Sequence, residues 1–138
     1  MKGKRYIDGD VLNKWFSEVK RMATDEEILD LAMDYCGKLF FYAPEDESDF
    51  FINKAIAEIL EHESNSYIRT GYEIAAINSR GCITVDPTGQ DDFEIEENYQ
   101  KKAREAEAEG FIRLADSLRG VADSFHEEGL MHIRMYNN

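Results

Sequence analysis

YQKKAREAEAEGFIRLADSLRGVADSF, residues Tyr99–Phe125, is the stretch that decides the fold. Before Gly110, the residues Ile95, Tyr99, Ala103 and Ala106 recur at steps of three and four, the spacing that gathers side chains on one face of a helix. After it, Phe111, Leu114, Ala115, Leu118, Val121, Ala122 and Phe125 repeat the pattern. A glycine between two such stripes predicts a tight αα-hairpin, because glycine enters the left-handed conformation that ends a helix without the clash of a Cβ. Alanines on the first helix let the larger side chains of the second approach closely. The hairpin is expected over 92–129, with Asp91 or Asp92 as its N-cap and Gly129 ending its second helix.

The same periodicity fills most of the remaining chain. Residues 1–9 read as a flexible arm. Val11, Leu12, Trp15, Phe16, Val19 and Met22 predict a helix over Asp10–Met22, capped by Asp8 or Asp10. Thr24-Asp-Glu-Glu27 has the spacing of a capping box and predicts a second helix from about Asp25 to Phe41, stopped by Pro44. A third helix is expected within 48–70, with Ser64-Asn-Ser66 as a break point. The span Gly71–Gly89 fits two readings. One is a short β-hairpin near residues 72–86, using the β-branched run Ile83-Thr-Val85 and the turn Asp86-Pro-Thr-Gly89. The other is a helix through Ile77 followed by an irregular connection. The expected class is therefore mainly α: a small single-domain bundle of four to five helices, with room for one short β-hairpin.

Charge narrows the partners. The chain carries 29 acidic residues against 16 Lys and Arg, a formal net charge of −13. Fourteen of the acids lie between Ala43 and Asn98, where only Lys54, Arg69 and Arg80 oppose them. Such a field repels phosphate backbones and attracts basic surfaces and cations. Direct nucleic-acid binding is not expected. With 43% apolar residues the chain has enough material for a core, so the charge does not imply disorder. No apolar run approaches the roughly 20 residues of a spanning helix, and the opening MKGKRYIDGD lacks the apolar region of a signal peptide. Cys36 and Cys82 stand alone, without a C-x-x-C. A cytoplasmic protein without a membrane partner is expected.

Motifs for catalysis are missing. There is no G-x-S-x-G, Walker A sequence, G-x-G-x-x-G, H-E-x-x-H or C-x-x-C. The reading leans away from an enzyme, and no cofactor is expected. Glu58 and His62 are i, i+4 neighbours that can share a divalent ion, but the apolar stripe of their helix, through Ile52, Ile56, Ile59 and Leu60, turns them toward water. Glu128 and His132 repeat the spacing, but Gly129 between them is expected to break the register and leave them on a surface tail. Asp86–Asp92 places oxygen ligands beside a glycine without the spacing of a calcium loop. The Ala- and Glu-rich pair around Gly110, Ala103-Arg-Glu-Ala-Glu-Ala-Glu-Gly-Phe111 continuing through Leu114, Ala115, Leu118, Arg119 and Ala122, resembles one helical pair of the rubrerythrin-type, ferritin-like proteins. That resemblance implies a di-iron centre built from inward Glu residues and Glu-x-x-His motifs. In this chain the second motif falls on Phe125–Glu128 and is not matched.

The functional expectation is an acidic protein-interaction module, a regulator or inhibitor docking on the basic surface of a nucleic-acid-binding protein. Its acidic face would comprise Glu45, Asp46, Glu47, Asp49, Asp91, Asp92, Glu94, Glu96 and Glu97. The alternatives are a metal-binding, ferritin-like helical bundle with Glu58 and His62 among its ligands, and a small homo-oligomeric scaffold.

Overall fold

The structure, a computed structural model, describes residues 5–81 and 84–137. Among the described residues six helices follow one another: α1 (Gly9–Asp25), α2 (Leu29–Phe41), α3 (Lys54–Glu61), α4 (Ser66–Asn78), α5 (Gln90–Ala108) and α6 (Ile112–Tyr136). No strand occurs among the described residues. The expected helical class holds, with six helices in place of four or five. The first arm of the β-hairpin alternative is helical, because α4 carries the chain through Asn78 with Ile68, Tyr72, Ala75 and Ala76 buried at helical spacing. Cys82 and Ile83, in the other arm, lie outside the described residues.

The chain divides into two compact units, Met1–Tyr72 and Glu73–Asn138, with α4 spanning the division. In the first unit α1 packs on α2 and α3. Asp8 caps α1, its side chain accepting from the backbone N–H groups of Asp10 at 2.9 Å and Val11 at 3.1 Å. The Thr24–Glu27 stretch does not open α2 as the capping-box spacing suggests; it closes α1. Glu27 takes a left-handed φ of 59°. The Glu27 N–H donates to Thr24 O at 3.1 Å and the Ile28 N–H to Ala23 O at 2.9 Å. This crossed pair of bonds is the Schellman arrangement. α2 then starts at Leu29 with no side-chain cap.

The expected third helix over 48–70 is two helices, broken at 62–65. Asn53 caps α3 by accepting from the N–H groups of Ala55 and Ile56. Side chains take carbonyls at this break: Arg69 donates to Leu60 O and His62 O, and Asn65 to Ile59 O. These bonds give partners to three carbonyls at the break. α2 and α4 cross with their backbones in contact. A Cβ built on Gly37 would lie 1.9 Å from Ile68 O, and one on Gly71 would lie 2.1 Å from Asp34 O.

The second unit is dominated by the α5–α6 hairpin. Its turn matches the expectation: Gly110, at φ 88°, donates to Glu107 O, and the Phe111 N–H donates to Ala106 O. Tyr99 and Phe125 stack between the helices, 6.0 Å between ring centres and 3° from parallel. Two expectations fail at the far end. Asp91 and Asp92 lie in the first turn of α5, while the capping is done from outside it: Asp86 accepts from the Asp91 N–H, and the Thr88 hydroxyl accepts from the Gln90 N–H. α6 also does not stop at Gly129. It runs through it to Tyr136, and the glycine is there because a Cβ would meet Phe93 Cε1 at 2.6 Å and Asp92 Cβ at 3.1 Å. This glycine marks a close helix contact, not a helix end.

Candidate interaction surface

The acids singled out in the sequence have separate fates. Glu45, Asp46, Glu47 and Asp49 belong to the first unit, and Asp91, Asp92, Glu94, Glu96 and Glu97 to the second. Glu45, Glu47, Asp49, Asp91, Glu94 and Glu97 are exposed. Asp46 is half-buried and serves the backbone: one oxygen accepts from the Lys54 N–H at 2.9 Å, the other from the Ser48 hydroxyl at 2.6 Å and the Ser48 N–H at 3.1 Å. The Ser48 hydroxyl, followed by the backbone donors, holds its carboxyl below the ordinary range. Asp86 is held low in the same way, first by the Thr88 hydroxyl and N–H. Glu96 pairs with His126 at 3.0 Å, and Glu97 with Arg104 at 3.1 Å.

Asp92 cannot belong to a docking face, because it is fully buried. Its two oxygens are divided between partners. Arg80 donates to one, and His132 Nδ1 lies 2.8 Å from the other. A carboxylate only accepts, so this ring nitrogen carries its hydrogen toward Asp92. His132 Nε2 sits 3.8 Å from Glu128 Oε1, which shows that the Glu128–His132 spacing across Gly129 is a real helical register. The Arg80 guanidinium also lies over the Phe125 ring, 5.8 Å from its centre. Sequence reasoning missed this cluster. A signal existed: Asp92, Tyr99, Ala103 and Ala106 follow one another at steps of seven, four and three, so Asp92 continues the buried stripe of α5. Likewise Phe125, Gly129 and His132 share one face once α6 is allowed through the glycine. Among the described residues, no buried side-chain nitrogen or oxygen lacks a partner. The cluster is thus a satisfied ionic core that fastens the loop at Arg80 to α5 and α6. Beside it lies an open hollow of about 580 Å³, lined by Arg80, Thr84, Asp91, Glu94, Ile95 and Asn98.

The metal alternatives find no convergent ligands. No group of three His, Cys, Asp or Glu able to hold an ion occurs among the described residues. Glu58 and His62 line one shallow hollow of about 240 Å³ with Lys20 at its edge. His62 Nδ1 is taken by Ser64, whose N–H lies 3.2 Å and hydroxyl 2.7 Å away. Glu128 and His132, the other pair at ligand spacing, are turned to Arg80 and Asp92. Cys36 is buried in the first unit, and burial raises its thiol above the ordinary value. This matches a core residue and not a nucleophile.

The largest departure from an ordinary surface lies on α1 and α2. One face of α2 is buried through Met33, Cys36, Gly37 and Phe40. Its opposite face carries Leu31, Tyr35 and Leu39, extended by Ile28 and Tyr42 at the two caps. Four of these, Leu31, Tyr35, Leu39 and Tyr42, are 57%, 58%, 59% and 69% exposed. At 100° per residue all five fall within roughly 80° of arc. α1 adds an exposed shoulder of Val11, Trp15 and Met22. A groove of about 260 Å³ joins the two helices, with Val19, Met22 and Ala23 on one side and Ile28 and Ala32 on the other. Scattered exposed apolar residues are normal, whereas a stripe of neighbouring ones is unusual on a surface that faces water. No helix is long and apolar enough to cross a membrane among the described residues. No protein-family model matches the chain, and neither a curated protein nor a solved structure is significantly similar to it.

Proposed function

We propose that this chain is a protein-interaction module that works through the exposed face of α2 and its junction with α1. The carrying observation is that α2 is apolar on two opposite faces, of which only one is buried. Burial of the second face on a partner is the main driving force available to an association. Acid-rich composition supports the choice of protein over membrane. Surface-seeking helices that bind lipid present Lys and Arg to anionic headgroups, whereas Asp30 and Asp34 stand on the polar side of α2.

The test is capture of partners from the native cell by the wild-type chain and by a Leu31→Glu/Leu39→Glu variant. Both positions are exposed, so the variant should keep its helical circular dichroism and melting temperature while losing the captured protein. Capture unaffected by the double substitution would remove the reading.

A second reading, docking on a basic protein, is favoured by the hollow lined by Asp91 and Glu94. It supports a cytoplasmic regulator or inhibitor that meets a basic partner with Asp91, Glu94 and Glu97 in one unit, or Glu47 and Asp49 in the other. Such binding should weaken steeply with added salt. Reversal of Asp91, Glu94 and Glu97 to Lys should abolish it, and a salt-insensitive complex argues against it.

A further inference from the structure

We infer that the occupant of the α1–α2 face is a second copy of this chain, seated so that the two α2 stripes face each other across a two-fold axis. The inference rests on the interaction reading above and names its partner. Two observations carry it. The first is area. Side chains of this size present about 150–250 Å² each when aromatic and somewhat less when aliphatic. At exposures of 42–69%, the α2 stripe and the α1 shoulder together offer on the order of 800 Å². That is about what one partner contributes to a standard stable interface. A hydrophobic surface of matching size is needed opposite it, and the same surface on a second copy supplies one, as two-fold pairing requires.

The second observation is charge. A copy of a chain with net charge −13 is repelled from most of this molecule. The repulsion is weaker here than along the acid-rich middle segment. Residues 9–41, the span of α1 and α2, carry four Lys and Arg against seven acids, whereas residues 43–98 carry three against fourteen. The rim of the face has both signs. Lys38 lies beside the stripe, its Nζ over the Tyr35 ring at 5.4 Å and 2.9 Å from Asp34. Glu18, Arg21 and Asp25 flank the α1 shoulder. Cations of one copy therefore have acids of the other to meet, which like-charged rims do not offer. A basic partner would instead seek the more acidic middle segment, away from this face.

Sedimentation velocity of the purified chain from low to high micromolar concentration tests the inference. The wild type is expected to move from monomer toward dimer, with the average mass approaching twice 15.9 kDa. The Leu31→Glu/Leu39→Glu variant should remain monomeric at every concentration, with unchanged circular dichroism. The milder Tyr35→Ser change should shift the monomer–dimer midpoint upward by at least tenfold, which keeps the test valid should the double variant misfold. Asp91→Lys in the second unit should leave the midpoint within about twofold. A wild type that stays monomeric throughout, or a dimer indifferent to both α2 variants, overturns the inference. A monomeric wild type that still captures a cellular protein through Leu31 and Leu39 overturns the second copy alone and leaves the interaction reading standing.

Discussion

At the scale of single residues, the most telling is Glu27. It holds a left-handed conformation that costs a residue bearing a Cβ about 1–2 kcal/mol. The position is the C′ site of a Schellman cap, where glycine is the common occupant. Glu27→Gly should therefore stabilise the chain by about 1 kcal/mol, read as a higher urea midpoint at unchanged slope. Asp92 makes the opposite case. Removing the carboxylate leaves Arg80 and His132 without their acceptor at a buried site, and breaking such a pair from one side costs about 3–5 kcal/mol. Asp92→Ala should unfold at markedly lower urea, whereas Glu94→Ala, nearby on α5 and exposed, should change the midpoint little. Asp46 and Asp86 give a pH signature. Both carboxyls are held below their ordinary value of 3.8 in the folded chain. A depressed folded value adds stability above the ordinary value, and that stability is lost as pH falls through the depressed one. Melting temperature should thus fall below about pH 4, and the gap between wild type and Asp46→Ala should narrow over the same range.

At the scale of elements, helix crossings explain what the sequence pattern could and could not reveal. The α5–α6 hairpin was legible because its two stripes and Gly110 agree with each other and with the local turn chemistry. Helix ends were less so. Thr24–Glu27 satisfies the capping-box spacing, yet Thr24 Oγ1 bonds back to Lys20 O at 2.7 Å inside α1. A motif read by spacing cannot tell the end of one helix from the start of the next. Gly129 shows the same limit, since a helix stop and a close backbone contact use the same residue for different reasons. Only the neighbours Phe93 and Asp92 separate the two. The candidate site was legible in part. Glu45, Glu47 and Asp49 are exposed as expected, but Asp92 is buried, and Arg80 and His132 are twelve and forty residues away from it in the chain. The apolar residues of α2 were visible as letters, yet their division into two faces needs the partners of α2 to be known. Gly37 gives this scale its test. Its missing Cβ lets Ile68 O approach to a distance no side chain permits. Gly37→Ala must push α2 from α4 and should cost about 1–3 kcal/mol or more, although alanine is the better helix former by about 1 kcal/mol. A variant as stable as wild type would mean that this crossing is not held in solution.

At the scale of the whole molecule, charge repulsion is the largest influence still to be placed. The acid excess looks concentrated along the sequence, but it is shared between the compact units: fifteen acids against nine Lys and Arg in Met1–Tyr72, and fourteen against seven in Glu73–Asn138. Each unit therefore folds against its own repulsion. The pairs that relieve it are mostly exposed, as in Arg104–Glu97 at 3.1 Å and Arg119–Glu107 at 2.7 Å, and such pairs contribute about 0–1 kcal/mol. Salt has two opposed effects on this balance. It weakens the exposed attractions, and it screens the repulsions among acids, which outnumber Lys and Arg by the net charge of −13. The Arg80–Asp92–His132 contacts are largely buried and should respond less than the exposed pairs. Repulsion should win the comparison, so melting temperature is expected to rise by a few degrees between low salt and physiological ionic strength. Replacing the exposed Asp123 with Asn and Glu127 with Gln should shrink that rise, because each substitution removes one of the charges being screened. A melting temperature that falls with salt would mean that the surface pairs hold the fold more firmly than their exposure allows.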